Sequence, residues 1–133
     1  MITVDIPRAA PVRWQALLSV TNAVLRRSAR ISCTFVSSQT IRTLNRRYRG
    51  KNRPTNVLSF GWESSSGDVM GDVVLCRSVI RAEVKSVQYN NHLDHLFVHG
   101  ILHVLGYDHE RPTDVRKMEA LEKKILARDP YQS

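Results

Sequence analysis

The chain has 133 residues, of which 42% are hydrophobic, and a formal net charge of +8. This length predicts one domain over residues 1–133, with enough apolar side chains for a core but too few residues for two. No apolar run approaches the roughly 18 residues of a transmembrane helix, which excludes a helical membrane protein. The opening segment MITVDIPRAA has no apolar stretch suited to a signal peptide, so we expect a cytoplasmic protein.

Strand-like and helix-like segments alternate along the chain. Short runs rich in β-branched residues predict strands, and apolar residues at helical spacing predict helices. In chain order these are a strand at 2–6, a helix at 12–29, a strand at 31–36, a helix at 38–48, strands at 55–60 and 70–76, and helices at 78–87, 91–105 and 112–126. The polar segment 62–69 indicates a hairpin or a crossing loop. We expect an α+β fold, with a small mixed sheet of about four strands packed by about five helices.

Local signals support several of these elements. Ser37 or Ser38 precedes the second helix and is a preferred N-cap residue, and Pro112 suits the first turn of the last helix. Cys33 and Cys76 show neither CxxC nor paired spacing, which predicts buried, reduced thiols. The residues of the first helix expected to face the core are Trp14, Leu17, Leu18, Val24 and Leu25.

Positive charge is concentrated in the first half of the chain. No acidic residue lies between Asp5 and Glu63. The same segment contains eleven basic residues: Arg8, Arg13, Arg26, Arg27, Arg30, Arg42, Arg46, Arg47, Arg49, Lys51 and Arg53. Such asymmetry indicates a polyanionic partner, nucleic acid rather than a membrane, because no lipid anchor or basic amphipathic helix with bulky aromatics is evident. A solvated basic face without a partner is the alternative.

The run HGILHVLGYDH, at 99–109, has histidines at relative positions 0, 4 and 10. His99 and His103 are four residues apart, so in a helix they would share one face, about 5–6 Å apart at Cβ. Gly106 can adopt the left-handed conformation that ends a helix, which would return His109 towards the same point. Three imidazoles without a thiolate suit Zn²⁺ in an open site, on a helix and the following turn. We therefore predict a catalytic metal site.

The spacing matches the zinc-protease pattern HExxHxxGxxH in all but one position. Gly100 stands where those proteases have the glutamate that acts as general base. Because glycine cannot accept a proton, we expect chemistry other than theirs. His92 and His95 lie near the same helix face, but we interpret them as polar or core histidines. Asp108 is more typical of a residue that caps a turn or orients an imidazole than of a base.

The stretch LNRRYRGKNRPTNVLSF, at 44–60, is a second candidate site. Arg49 and Lys51 flank Gly50 just before a Pro-Thr-Asn turn. A loop of this kind could clamp phosphate oxygens, the arginine through two bonds and the lysine as a point charge. A basic turn after a helix, without a ligand, would have the same pattern.

Together, HGILHVLGYDH, LNRRYRGKNRPTNVLSF, GDVVLC and MEALEKKIL resemble the YbeY family of bacterial rRNA-maturation endoribonucleases over essentially the whole chain. The resemblance implies a single-strand-specific endoribonuclease acting in 16S rRNA 3′-end maturation and ribosome quality control, with no activity on DNA expected. It implies one Zn²⁺ per chain on His99, His103 and His109, and a functional arginine at Arg49. It also implies that Asp72 contacts the small ribosomal subunit or its proteins.

In the expected mechanism the metal and the basic loop have different roles. Zinc would activate a water molecule or polarise the scissile phosphate, and Arg49 would stabilise charge on the phosphoryl oxygens. Arg46, Lys51 and Arg53 are expected to bind RNA phosphates. The general base stays unassigned. The alternatives are another zinc hydrolase, such as a peptidase, and a non-catalytic ribosome-associated RNA-binding protein with structural zinc.

Overall fold

A computed structural model describes residues 1–107 and 112–127 of the chain. Its strands are β1 (Ile2–Asp5), β2 (Ala29–Phe35), β3 (Val57–Glu63) and β4 (Val69–Leu75). Its α-helices are α1 (Trp14–Val24), α2 (Ser38–Arg49), α3 (Arg77–Glu83), α4 (Tyr89–Val104) and α5 (Pro112–Ala127), and a short 3₁₀ helix, Ser86–Gln88, precedes α4. The α+β fold predicted from the sequence is confirmed.

The four strands form one mixed sheet in the order β1-β2-β4-β3. β2 is parallel to β1 and to β4, whereas β3 runs antiparallel to β4 and forms one edge of the sheet. In the register of this last pair Trp62 lies opposite Met70, and Glu63 lies opposite Val69. The connection between β3 and β4 is therefore a hairpin, shorter than the segment 62–69 predicted for it.

Residues of β4 alternate between two cores on opposite faces of the sheet. Val73 belongs to the larger core, which contains side chains from α1, α4 and α5, whereas Val74 belongs to a smaller one against Ile41 of α2. In the larger core the rings of Trp14 and Phe97 stack with centroids 4.1 Å apart. Of the residues expected to face the core, Trp14, Leu17 and Leu25 are buried, and Leu18 and Val24 are partly buried against it.

Several helix and strand ends differ from the predicted ones. The first helix was predicted at 12–29, but it ends at Val24, because Ala29 pairs with Ile2 and begins β2. This strand pairing prevails over the helical spacing of the segment. The third helix ends at Glu83 instead of residue 87, since the next residue is extended. The serine cap is Ser37, whose Oγ accepts a hydrogen bond from the Thr40 amide at 3.2 Å.

Both cysteines are buried and neither forms a disulfide, as predicted. Burial raises the pKa of the Cys33 thiol to about 12. At neutral pH this thiol is therefore protonated and behaves as a small apolar side chain.

Helix α4 is the central helix of the larger core, and nine of its residues are buried. Asp94, which is 1% exposed, fixes it to α1 by accepting hydrogen bonds from Arg13 Nε at 2.6 Å and Trp14 Nε1 at 2.9 Å. Neither α4 nor any other helix in the described ranges is long and apolar enough to cross a membrane. The histidines of α4 lie on the one side that the core leaves partly open.

Candidate functional site

Three histidines follow one another at intervals of about one turn on the partly open side of α4. The ring centroids of His95 and His99 are 5.8 Å apart, and those of His99 and His103 are 4.7 Å apart. The prediction that His99 and His103 share one helix face is confirmed. His92 bonds elsewhere, with its Nε2 atom 3.1 Å from Glu83 Oε1.

Helix α5 contributes a buried carboxylate to this cluster. Glu122 is 7% exposed, and its Oε1 atom lies 2.6 Å from His99 Nδ1, while its Oε2 atom lies 2.7 Å from His95 Nε2. Burial alone would raise the pKa of Glu122, but the hydrogen bonds and positive charge of the two imidazoles lower it to about 2. The hydrogen bond that His95 donates to Glu122 raises the pKa of His95 in turn, although burial of the ring lowers it. Glu122 is therefore an ionised acceptor for both rings at neutral pH.

Sequence reasoning missed Glu122 and gave His95 only a polar or core role. Glu122 lies 23 positions beyond His99, and no local spacing rule connects the two helices. A signal was nevertheless present: Glu122 follows Met118 by four residues and precedes Ile125 by three, and all three are buried. A carboxylate in an apolar helix stripe needs a buried partner, because an unpaired charge there is costly.

His95, His99 and Glu122 form a group that could hold a metal ion, with ligand atoms within 4.8 Å of one another. Ligand atoms of a tetrahedral zinc site are about 3.3 Å apart, given metal bonds of roughly 2.0–2.1 Å. The contacts of Glu122, at 2.6 and 2.7 Å, are shorter than this and are hydrogen bonds. The bond to Nδ1 of His99 leaves Nε2 as the ring atom with which His99 would bind a metal, an arrangement typical of zinc sites.

The turn that follows α4 has the conformation expected from the sequence. Gly106 has φ +99°, which favours glycine. Its amide donates to the carbonyl of His103 at 3.0 Å, and the Tyr107 amide donates to Leu102 at 3.1 Å. These two bonds end the helix as a Schellman motif and reverse the chain beyond His103. His109, the third predicted ligand, and Asp108 lie outside the described residues.

Gly100 lies where α4 packs closely against the sheet. A Cβ atom at this position would lie 2.6 Å from Val73 Cγ1 and 3.2 Å from Ser59 Oγ. The space that the general-base glutamate would need is therefore occupied by the sheet. Packing gives a second reason, besides the missing carboxylate, why the site differs from that of the zinc proteases.

A pocket of about 600 Å³ opens beside the histidines. Its lining includes His99 and His103 of α4, and Arg49, Lys51 and Arg53 from the end of α2 and the following loop. None of its described lining residues is acidic: the others are Asn45, Thr55, Asn56, Val57, Leu58 and Ser59. The structure thus brings the two predicted clusters into one electropositive cavity.

Two of the predicted site residues lie elsewhere. Arg46 is exposed on α2 and is not part of the pocket lining. Asp72 is half-buried in β4, where it alternates with Gly71 and Val73. Because those two residues face α4, the side chain of Asp72 is on the opposite side of the sheet from the histidines.

Arg49 reaches the pocket across the edge of the sheet. Its Nη2 atom donates to the carbonyl oxygen of Ser59 at 2.8 Å, and its guanidinium carbon is 5.1 Å from the centre of the Phe60 ring. Asn45, which is 3% exposed, donates to the carbonyl of Arg53 at 2.9 Å and holds the basic loop against α2. The fold therefore holds these positive charges at the edge of the sheet, in the pocket that His99 and His103 also line.

Comparison with known proteins gives matches over most of the chain. The sequence model of the family described as Endoribonuclease YbeY matches residues 8–129. A protein named Endoribonuclease YbeY from Halorhodospira halophila is 39% identical to this chain over 132 residues. The alignment covers 90% of this chain and 86% of the relative. The protein of the same name from Paraburkholderia phytofirmans is 41% identical over 134 residues, and the alignment covers 96% of this chain and 84% of that relative. The solution structure of TM1509 from Thermotoga maritima has the same fold, with a TM-score of 0.61 and 22% identity over all of both chains.

Proposed function

Because the chain belongs to the YbeY family of endoribonucleases, we propose that it is a zinc-dependent enzyme that cuts single-stranded RNA. Its substrate on this proposal is the 16S rRNA precursor, which it cuts during 3′-end maturation and ribosome quality control in the cytoplasm. The observation that carries the proposal is the pocket lined by both His99 and His103 and by Arg49. Metal-binding imidazoles beside an anion-binding cation are what phosphodiester hydrolysis needs.

We assign the zinc ion, one per chain, to His99, His103 and His109. The donor set fits zinc, because His99 and His103 are adjacent on one helix face and the cluster includes no thiolate. When bound, zinc supplies a Lewis acid for the scissile phosphate.

Glu122 and His95 support this site as positioning residues. The carboxylate of Glu122 accepts from Nδ1 of His99, which fixes the tautomer and the orientation of that ring. His95 supplies the second hydrogen bond to the same carboxylate, so Glu122 is held from both sides. A buried carboxylate with two charge-assisted bonds can hold a ring in one orientation without binding the metal itself.

Arg49 is the proposed catalytic residue of the basic loop. Its bond to the Ser59 carbonyl uses one N–H group, and a guanidinium has five, so several remain for phosphate oxygens. Lys51 and Arg53 line the same pocket and would bind neighbouring phosphates, with exposed Arg46 binding RNA farther along. No carboxylate stands at residue 100 to act as base. If the RNA 2′-hydroxyl is the nucleophile, DNA, which lacks that group, should not be cut.

We also propose that Asp72 contacts the small ribosomal subunit or one of its proteins. It lies on the face of the sheet opposite the histidines, where it is the register partner of Phe60, so its contact with the ribosome would lie outside the pocket. The Asp72→Ala variant is therefore expected to cut a free RNA normally and to associate less with ribosomal subunits.

The test of the proposed function compares substrates of different classes. Purified protein with a measured metal content is incubated with a 3′-extended 16S rRNA fragment, the DNA of the same sequence and a peptide library. We expect cleavage of the RNA alone. Cleavage of peptides would indicate a peptidase, and RNA binding without cleavage would indicate a ribosome-associated protein with structural zinc.

A further inference from the structure

Two aromatic side chains lie exposed at the same edge of the sheet as the pocket. Tyr48, in the last turn of α2, is 56% exposed, and Trp62, in β3, is 48% exposed. Other large hydrophobic side chains exposed in the described ranges are aliphatic: Met1, Val12 and Val87. Exposure of two large aromatic rings at one edge of the sheet costs free energy and indicates a binding surface.

The position of these rings follows from the pleat of β3. A Cβ atom at Gly61 would meet Val104 of α4, so Gly61 faces α4, and Phe60 and Trp62 face the other way. Tyr48 packs on Phe60 with the two rings edge to face, 5.2 Å between centroids. Trp62 follows Phe60 on the same face, about 7 Å farther along the strand. We call Tyr48, Phe60 and Trp62 the aromatic ledge.

The aromatic ledge and the pocket meet at Arg49. Its guanidinium lies over Phe60 of the ledge and donates to Ser59, which lines the pocket. A chain that passes from the ledge into the pocket would therefore pass this cation. Exposed Arg42, Arg46 and Arg47 make the neighbouring surface of α2 basic. On the sheet itself, half-buried Asp72 is the register partner of Phe60, and Glu63 follows Trp62 at the end of β3.

We propose that the aromatic ledge is a subsite on which unpaired bases of the RNA stack, next to the phosphate held in the pocket. This inference rests on the proposed function and deepens it. Aromatic rings combined with cations along one groove are the usual means of binding single-stranded nucleic acid, since every base has a face that can stack. In a duplex the base faces are already stacked on one another, so the ledge gives a physical reason for single-strand specificity.

Intrinsic fluorescence can detect this contact directly. The chain has two tryptophans, and Trp14 is 0% exposed, so quenching by a bound base reports on Trp62. The zinc-loaded protein is titrated with a single-stranded 2′-O-methyl RNA oligonucleotide, checked for integrity afterwards, and with an abasic oligonucleotide of equal phosphate number. We expect the first to quench the emission and the second to bind with little quenching.

Substitutions test whether the rings of the ledge contribute to RNA binding. Tyr48→Ala and Trp62→Ala are each expected to weaken RNA binding about 5- to 150-fold and to raise KM with little change in kcat. Tyr48→Phe keeps the ring and should restore most of the affinity. Val12→Ala removes an exposed apolar side chain elsewhere and should have no effect, and thermal denaturation checks that each variant is folded.

Failure of this inference can be distinguished from failure of the proposed function. If the wild type cuts RNA but both alanine variants bind and cut as it does, without quenching, the ledge is not a subsite and the function stands. If the wild type neither binds nor cuts RNA, the proposed function fails and the ledge has no RNA to bind.

Discussion

The Nη2 atom of Arg49 lies 2.8 Å from the carbonyl oxygen of Ser59, so the last residue of α2 is bonded to the edge strand of the sheet. Both residues line the pocket that contains His99 and His103. A residue from one face of the sheet thereby reaches a site built on the other face. This bond and the one from Asn45 to the Arg53 carbonyl hold the basic loop beside the cavity that the histidine helix also lines.

Replacing Arg49 should affect the chemistry and spare the metal. Arg49→Ala is expected to lower kcat/KM for RNA about 100-fold, because the charge developing on the phosphoryl oxygens loses its fixed cation. Arg30→Ala, which removes an equal charge from an exposed site lining a different pocket, should have little effect. Cleavage rates and zinc content are measured on the same samples. Loss of zinc from Arg49→Ala would show that the residue is structural.

Glu122→Gln should weaken zinc binding. The amide has a similar shape but no charge, so it holds the His99 ring less firmly, and a loss of about 10- to 100-fold in metal affinity is expected. Competition with a chromophoric chelator measures this affinity. Glu119→Gln, an exposed position on the same helix, is the matched control.

His95→Ala distinguishes the two possible ligand sets. If zinc is held by His99, His103 and His109, this variant should still bind one zinc ion per chain. Complete loss of zinc from His95→Ala would instead place the ion among His95, His99 and Glu122, the group close enough to hold one.

Gly100→Ala should destabilise the protein. Alanine favours a helix over glycine by about 1 kcal/mol, but the new methyl group would clash with Val73, and overpacking costs about 1–3 kcal/mol. Urea denaturation should give a net loss of stability, while Asn91→Ala, exposed on the same helix, should be nearly neutral. A stability gain in Gly100→Ala would show that the sheet can move away from α4 at little cost.

The two cysteines should resist alkylation in the folded protein. Both are buried, and burial raises the pKa of Cys33 to about 12, so little reactive thiolate forms at pH 8. Mass spectrometry after iodoacetamide treatment should find the native chain unlabelled and the urea-unfolded chain labelled twice. Rapid labelling of the native chain would contradict the described burial.

Local geometry made part of the site predictable. The shared face of His99 and His103 follows from a spacing of four residues in a helix, and the turn at Gly106 follows from the conformational freedom of glycine. Both features involve residues close in the chain, where the helix itself fixes the distances. The basic loop was found for a similar reason, since its cations lie close together after a single helix.

Tertiary contacts made the rest unpredictable. The bond from Glu122 to His99 joins two helices, and the bond from Arg49 to Ser59 depends on where β3 lies relative to α2. The end of α1 was misplaced for the same reason, since pairing of Ala29 with Ile2 decides where β2 begins. No spacing rule within one element contains this information.

The central claim is tested most directly by the rate at which His103→Ala cuts a 3′-extended 16S rRNA fragment. His92→Ala is the matched control, because His92 lies on the same helix but is bonded to Glu83. We predict that His103→Ala loses zinc and cuts at least about 100-fold more slowly, while His92→Ala keeps both zinc and activity. Cleavage by His103→Ala at the wild-type rate would contradict a catalytic metal site on α4.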